Sequence, residues 1–193
     1  MGILIVGLLI FIGIHLVPAL PRKKHKFVKL LGDKGYKIAY GVLAVLGLVL
    51  IIWGYAQTLE NPVVLFDLPY GMRHATMLLV LLAFILFASA RLNGYLRYYA
   101  RHPLTLAVKL WAFGHLLVKG GILAGLLLFG GFLAWAVFAR ISAKKREAAG
   151  LIKTRDFAPN WVHDVIAVVV GLGLYVAFAF YLHNVLIGVP LIR

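Results

Sequence analysis

Apolar runs with at most one charged residue each, most of them about twenty residues long, follow one another along this chain with short basic loops between them. A helix needs about 20 apolar residues to cross roughly 30 Å of hydrocarbon. In that medium each backbone N–H and C=O must find its partner within its own segment, so runs of this length read as helices. Six candidates are present, at residues 2–20, 36–56, 72–90, 104–118, 121–139 and 162–189. The 193 residues are 63% hydrophobic and 13% charged. A soluble domain averages about 45–50% and about 25%, so a water-soluble packing of this length could not hide so much apolar side chain. The expectation is an all-α, polytopic membrane helix bundle with six transmembrane helices, forming one domain over residues 1–193.

The fourth and fifth runs meet at Lys119-Gly120-Gly121. Joined, they are too long for one crossing, so they read as two antiparallel helices with a tight turn. Lys and Arg set the orientation. Seven follow the first run (Arg22, Lys23, Lys24, Lys26, Lys29, Lys34, Lys37), three the third (Arg91, Arg97, Arg101) and six the fifth (Arg140, Lys144, Lys145, Arg146, Lys153, Arg155). The opposite side holds Arg73, Lys119 and Arg193, with Lys109 inside a run. Sixteen against three places the basic loops in the cytoplasm and both termini on the non-cytoplasmic side. The first run is followed, not preceded, by its positive cluster, so it reads as a retained span and not as a cleaved leader. Val6 stands where a myristoylation signal needs Ser or Thr.

Tyr36, Tyr40, Trp53, Tyr55, Tyr70, Tyr95, Tyr98, Tyr99 and Trp161 fall near run ends, the position of an interfacial aromatic belt. Glycines such as Gly41, Gly47, Gly54, Gly130, Gly131, Gly171 and Gly173 would let helices approach closely. A net charge of +14 raises nucleic acid as a partner. Its placement in short loops between apolar runs points to topology and lipid phosphates instead, so the lipid bilayer is the expected partner and nucleic acid is not. With no cysteine, disulfides, thiolate metal sites and cysteine nucleophiles are excluded. Six acids in the chain leave little room for paired-carboxylate chemistry, and no HExxH, P-loop or GxSxG pattern occurs.

Histidine is the chemistry that remains. His15, His74, His102, His115, His163 and His183 lie in or at the ends of runs, while His25 sits in a basic loop. An ionisable group in the membrane costs roughly 2.5–3.5 kcal/mol or more at mid-depth, so each is a functional candidate. Along one helix, His102 and His115 are about 20 Å apart, and His163 and His183 about 30 Å. Neither pair can bind one metal, so any bis-histidine site draws on different helices. His115 shares a helix face with Leu104, Val108, Trp111 and Val118, an apolar and aromatic stripe that could lie against a porphyrin. The alternative is that Trp111 packs on a neighbouring helix and His115 bonds a carbonyl. His15 shares a face with Phe11 and Leu8, and lies about 9 Å from the depth of His115. His102, before Pro103, reads as an N-terminal cap and interface anchor, or with Arg101 as a group that holds a propionate. Lys109 would snorkel toward the interface.

Several of these elements occur together in a known order. Gly13-Ile14-His15-Leu16-Val17-Pro18-Ala19, then Arg22, Leu31-Gly32 with Tyr36, and Arg101-His102-Pro103 come first. Trp111-Ala112-Phe113-Gly114-His115-Leu116-Leu117, Gly120 and Phe129-Gly130 follow. In this the chain resembles the NnrU family over essentially its whole length. The resemblance implies a bacterial inner-membrane protein linked to nitrite, nitric oxide or respiratory redox metabolism, with a gas, an apolar small molecule or a respiratory membrane protein as partner. The same domain occurs in 15-cis-zeta-carotene isomerase, a haem b enzyme whose matching histidines are held to be axial ligands. Carried over, these are His15 and His115, with Trp111, Arg101 and His102 around the cofactor. That enzyme is also held to exchange a histidine for a cysteine on reduction; Ala112 stands at that position, so the exchange cannot operate here. The resemblance thus leaves three readings: a haem protein of redox or gas metabolism, a haem-dependent polyene isomerase, and a non-enzymatic scaffold or carrier with structural histidines.

Overall fold

The structure, a computed structural model, describes residues 1–69 and 71–188. Three expectations fall outside them: Tyr70 in the belt, Arg193 on the outer side and residue 189 at the end of the sixth run. The elements are α1 (Gly2–Leu16), a 3₁₀ turn (Val17–Ala19), α2 (Pro21–Thr58), α3 (Met72–Ser89), α4 (Tyr95–Ala100), α5 (Pro103–Lys119), α6 (Leu123–Ala148) and α7 (Trp161–Ala177). A π-helical turn (Phe178–Leu182) leads into α8 (His183–Ile187). Among the described residues there is no strand, only an isolated bridge between Val64 and Ile122.

Among the described residues, five helical segments are long and apolar enough to cross a membrane: Gly2–Ala19, Pro21–Thr58, Met72–Ser89, Leu123–Ala148 and Trp161–Ile187. The fourth predicted span, α5, is 17 residues long and carries Lys109. Its two ends nevertheless reach opposite ends of the bundle. Below Pro103, Arg140 of α6 donates to the carbonyls of Ala100 and His102 at 3.3 and 3.4 Å. Beyond Lys119, the turn at Gly121 accepts from Leu65 N at 2.8 Å, and Leu123 N donates to Val63 O at 2.9 Å. These bonds tie the α2–α3 loop to the α5–α6 turn.

Helix neighbours run α2, α1, α6, α5, α3, α7, and α8 returns to α2. Close backbone approach makes the α1–α2 seam. A Cβ on Gly47 would lie 2.8 Å from Phe11 N, and one on Gly54 2.7 Å from Leu4 Cα. Gly171 approaches Ile85 of α3 in the same way. Gly41, Gly130 and Gly173 face open space, and Gly131 meets only the tip of Ile12. Sequence spacing marks glycines but not the helix each one faces. The core is lined by Leu4, Leu8, Ile51, Tyr55, Ala112, Ala124, Leu128 and Phe129. Val42, Val45, Val49, Val169 and Phe180 point outward, as lipid contact requires.

Two expectations are corrected. Tyr55 is 7% exposed and packs its ring on Phe129, so it belongs to the core and not to the belt. Trp53, Tyr95, Tyr99 and Trp161 are exposed as a belt requires. The basic stretch after the first run is not a loop. It is helical from Pro21, which suits the first helical turn. The break comes at Gly32, whose φ of 70° and ψ of 167° only glycine adopts without strain. Residues 21–31 are thus a separate arm ahead of the spanning part of α2. At the other end of the bundle's basic side, α6 likewise continues to Ala148, past the predicted limit at 139.

Candidate functional site

His15 and His115 enter one aromatic cluster from different helices. His15 on α1 stacks on Phe11 with ring centres 4.2 Å apart. It also meets Tyr40 of α2 at 5.3 Å and the edge of Trp135 of α6 at 5.6 Å. His115 on α5 stacks on Phe129 of α6 at 4.6 Å and tilts against Trp111 at 5.2 Å. Phe132 joins the two halves, 5.4 Å from Phe11 and 5.3 Å from Trp111.

Each imidazole is oriented by its own helix. His15 Nδ1 lies 2.7 Å from the carbonyl of Phe11, and His115 Nδ1 lies 2.8 Å from the carbonyl of Trp111. A carbonyl can only accept, so Nδ1 carries the proton in both rings and the lone pair of the neutral ring is on Nε2. A metal-bound histidine takes the same arrangement, its far ring N–H given to a backbone carbonyl. A histidine that merely satisfies itself inside a helix takes it too. The stripe on α5 packs as the alternative reading expects, with Trp111 against Phe129 and Phe132 of α6.

The donor chemistry fits an iron porphyrin: two neutral imidazoles, aromatic walls, and no carboxylate in the ring cluster. His15 sits level with Trp135 and His115 level with Phe129, six residues apart on α6, which at 1.5 Å per residue is about 9 Å along the axis. Phe132 lies between these levels and touches Phe11 and Trp111. Among the described residues no group of three or more His, Cys, Asp or Glu could hold a metal ion.

Two polar atoms lack partners, one on Trp135 against His15 and one on Tyr36, a ring further out beyond Tyr40. Trp135 Nε1 and Tyr36 Oη are buried without a hydrogen bond, and the Tyr36 ring is 6.2 Å from that of Tyr40. Unpaired donors of this kind are rare in a protein interior. The Trp135 contact was not identifiable from the sequence, because no spacing rule places Trp135 against His15, whereas Tyr36 is among the residues that carry the family resemblance.

Arg101 and His102 stand apart from this cluster, at the basic end of α5. Both reach Glu147 of α6: Arg101 Nη1 lies 3.5 Å from Oε1, and His102 Nε2 lies 3.4 Å from Oε2. Thr154 donates to the same carboxylate. Arg101 holds a φ of 58°, unusual for a residue with a side chain. His102 occupies the N-cap position of α5, but its ring makes no capping bond. Burial lowers its pKa below the usual 6.5, Glu147 opposing and Arg140 assisting. The sequence offered no sign of Glu147 as their partner. Asp164 accepts from Tyr95 N at 2.8 Å and Leu96 N at 2.9 Å, holding the start of α4. His163 Nδ1 is buried without a partner. His183 lies within electrostatic reach of His115, and Lys109 within reach of Arg140 and Lys144, toward the basic end as snorkelling requires.

A family model described as "NnrU protein" matches residues 3–191 of the chain. No curated protein and no solved structure matches it.

Proposed function

The chain belongs to the NnrU family, and from that premise we propose an integral membrane protein of six crossings that holds b-type haem between His15 and His115. Its setting is redox or nitric oxide metabolism in a bacterial inner membrane, with both termini outside. One observation carries the reading. Both rings give Nδ1–H to the carbonyl four residues earlier, 2.7 and 2.8 Å away, and keep Nε2 for a ligand within one aromatic cluster. When bound, the haem would supply one-electron or gas-binding chemistry. The chain's own share is to orient two imidazoles, surround them with Phe11, Trp111, Phe129 and Phe132, and exclude water. Trp135 Nε1 would serve as a donor beside His15, and Tyr36 Oη as one beyond Tyr40. Arg101 and His102 face Glu147 at 3.5 and 3.4 Å and contribute through the packing of α5 on α6.

The competing reading, structural histidines in a scaffold or carrier, is favoured by Phe132 lying between the two levels. The two part on a titration of haem-depleted, detergent-purified protein with haemin. The proposal expects saturable binding with a shifted Soret band, weakened in both His15→Ala and His115→Ala. Equal spectra for wild type and both variants would leave the scaffold reading. The isomerase reading gains nothing from a wide apolar groove between α3, α4, α5 and α7, which includes Leu86, Tyr99, Leu106 and Val168 but neither histidine.

A further inference from the structure

A second site lies at the basic end of the bundle, away from the aromatic cluster. A cavity of about 390 Å³ opens between the 3₁₀ turn, the start of α2 and the end of α6. Its walls include Leu20, Phe138, Ile141 and Leu151, and its charged lining groups are Lys145 and Arg146. The surrounding backbone is tied down. Ser142 Oγ donates to Ala19 O at 2.6 Å, and Arg146 Nη1 to Pro18 O at 3.3 Å. Arg146 Nε spends a further donor on Ser142 O at 3.4 Å, leaving part of its five-donor fork unspent. No acid lines the cavity. The nearby Glu147 is engaged by Arg101, His102 and Thr154.

Pro21, also in the lining, begins the arm of residues 21–31. At 100° per residue, Phe27, Val28, Leu30 and Leu31 fall on one side of the arm with Lys23 and Lys24 among them, and Arg22, His25, Lys26 and Lys29 share the other. Leu30 is 78% exposed and Phe27 43%, so the protein leaves the apolar side uncovered. A helix with an apolar face and a Lys/Arg-rich polar face lies in the membrane interface, its apolar side toward the acyl chains and its basic side among headgroups. Gly32 bends the chain there, between an arm along the surface and a helix through it.

We propose that this corner binds an anionic glycerophospholipid of the leaflet on the basic side. An acyl chain fills the cavity, and the phosphate is held by Lys145 and Arg146. An apolar cavity under a purely cationic rim selects a negatively charged amphiphile over a zwitterionic one. The apolar walls select a lipid over free phosphate. The site is independent of the haem reading, and haem content has no part in its test.

The test is native mass spectrometry of the full-length protein released from micelles with added phosphatidylglycerol, phosphatidylcholine or inorganic phosphate. The expected result is one retained phosphatidylglycerol, in preference to phosphatidylcholine and undisturbed by phosphate. A basic side chain near an anionic headgroup is worth about 1 kcal/mol, so Lys145→Gln should weaken retention about fivefold. Ile141→Trp, which fills the cavity, should abolish it. Lys153→Gln, at an exposed pair with Asp156, should leave it unchanged. Lys145 is exposed and its ammonium group makes no hydrogen bond or ion pair within the described residues, so its variant keeps the question open to test even if Ile141→Trp fails to fold. Equal retention of the two lipids, full competition by phosphate, or wild-type retention in Lys145→Gln would each overturn the proposal.

Discussion

Replacing Gly54 by alanine should force α1 away from α2. The added Cβ would stand 2.7 Å from Leu4 Cα and 2.9 Å from the carbonyl carbon of Ile3, with Leu4 N nearer still. All three are backbone atoms, which cannot swing aside as a side-chain tip can. Ordinary contact begins at 3.4 Å, so the seam must open by at least 0.7 Å at this point. Leu4, wholly buried in the core, moves with it. Overpacking of a tight core typically costs about 1–3 kcal/mol. Against this runs the gain of about 0.8–1 kcal/mol in helix propensity when glycine becomes alanine. Gly41→Ala isolates the clash, because it lies on the same helix with nothing within 4 Å of its Cβ. At about 2–4 °C per kcal/mol for a chain of this size, Gly54→Ala should melt about 2–12 °C below Gly41→Ala in the same detergent. Equal melting temperatures would refute close backbone contact as the basis of the seam. α1 also carries His15, so the displaced helix should lower haem retention as well.

Two further outcomes follow from the polar bonds between helices. Thr76→Val keeps the side-chain shape but removes a hydroxyl whose single proton has Gly114 O at 2.7 Å as its nearer acceptor and Met72 O at 3.0 Å as the other. The loss between α3 and α5 should be about 0.5–1.5 kcal/mol, read as a lower melting temperature relative to Thr76→Ser. His102 provides the pH dependence. Its folded pKa lies below the unfolded value of 6.5, chiefly through burial, so the folded state binds fewer protons. Its contribution to stability is complete above pH 6.5 and declines as pH falls from there toward the folded pKa. The slope of melting temperature against pH between about 7 and 5 should therefore be shallower in His102→Gln than in wild type; identical slopes would contradict the assignment.

How much the sequence discloses depends on whether the signal lies within one helix or between two. The length of each apolar run is a property of a single segment, and it located α1, α3 and α5 closely and the start of α7. The turn at Lys119-Gly120-Gly121 was likewise legible, since two short runs cannot otherwise cross. The basic arm was not read as helical because its lysines suggested a loop. Lys and Leu are nonetheless good helix formers, and only Gly32, with its positive φ, interrupts them. Spacing put Trp111 and His115 on one face of α5, but not Phe129 and Phe132 opposite them. Tyr40 and Trp135 beside His15, and Glu147 beside Arg101 and His102, are contacts between distant segments, set by which helix faces which. The depth mismatch between His15 and His115, about 9 Å from helix rise alone, reappears as the distance along α6 from Trp135 to Phe129.

The central claim is that His15 and His115 hold haem, and the amount of haem that leaves the membrane with the protein tests it most directly. Protein purified in mild detergent from haem-sufficient cells, assayed by pyridine haemochrome, should carry close to one b-type haem per chain. His115→Ala should carry markedly less while eluting as the same folded species. A colourless wild-type protein, or a His115→Ala variant with undiminished haem, would contradict the account.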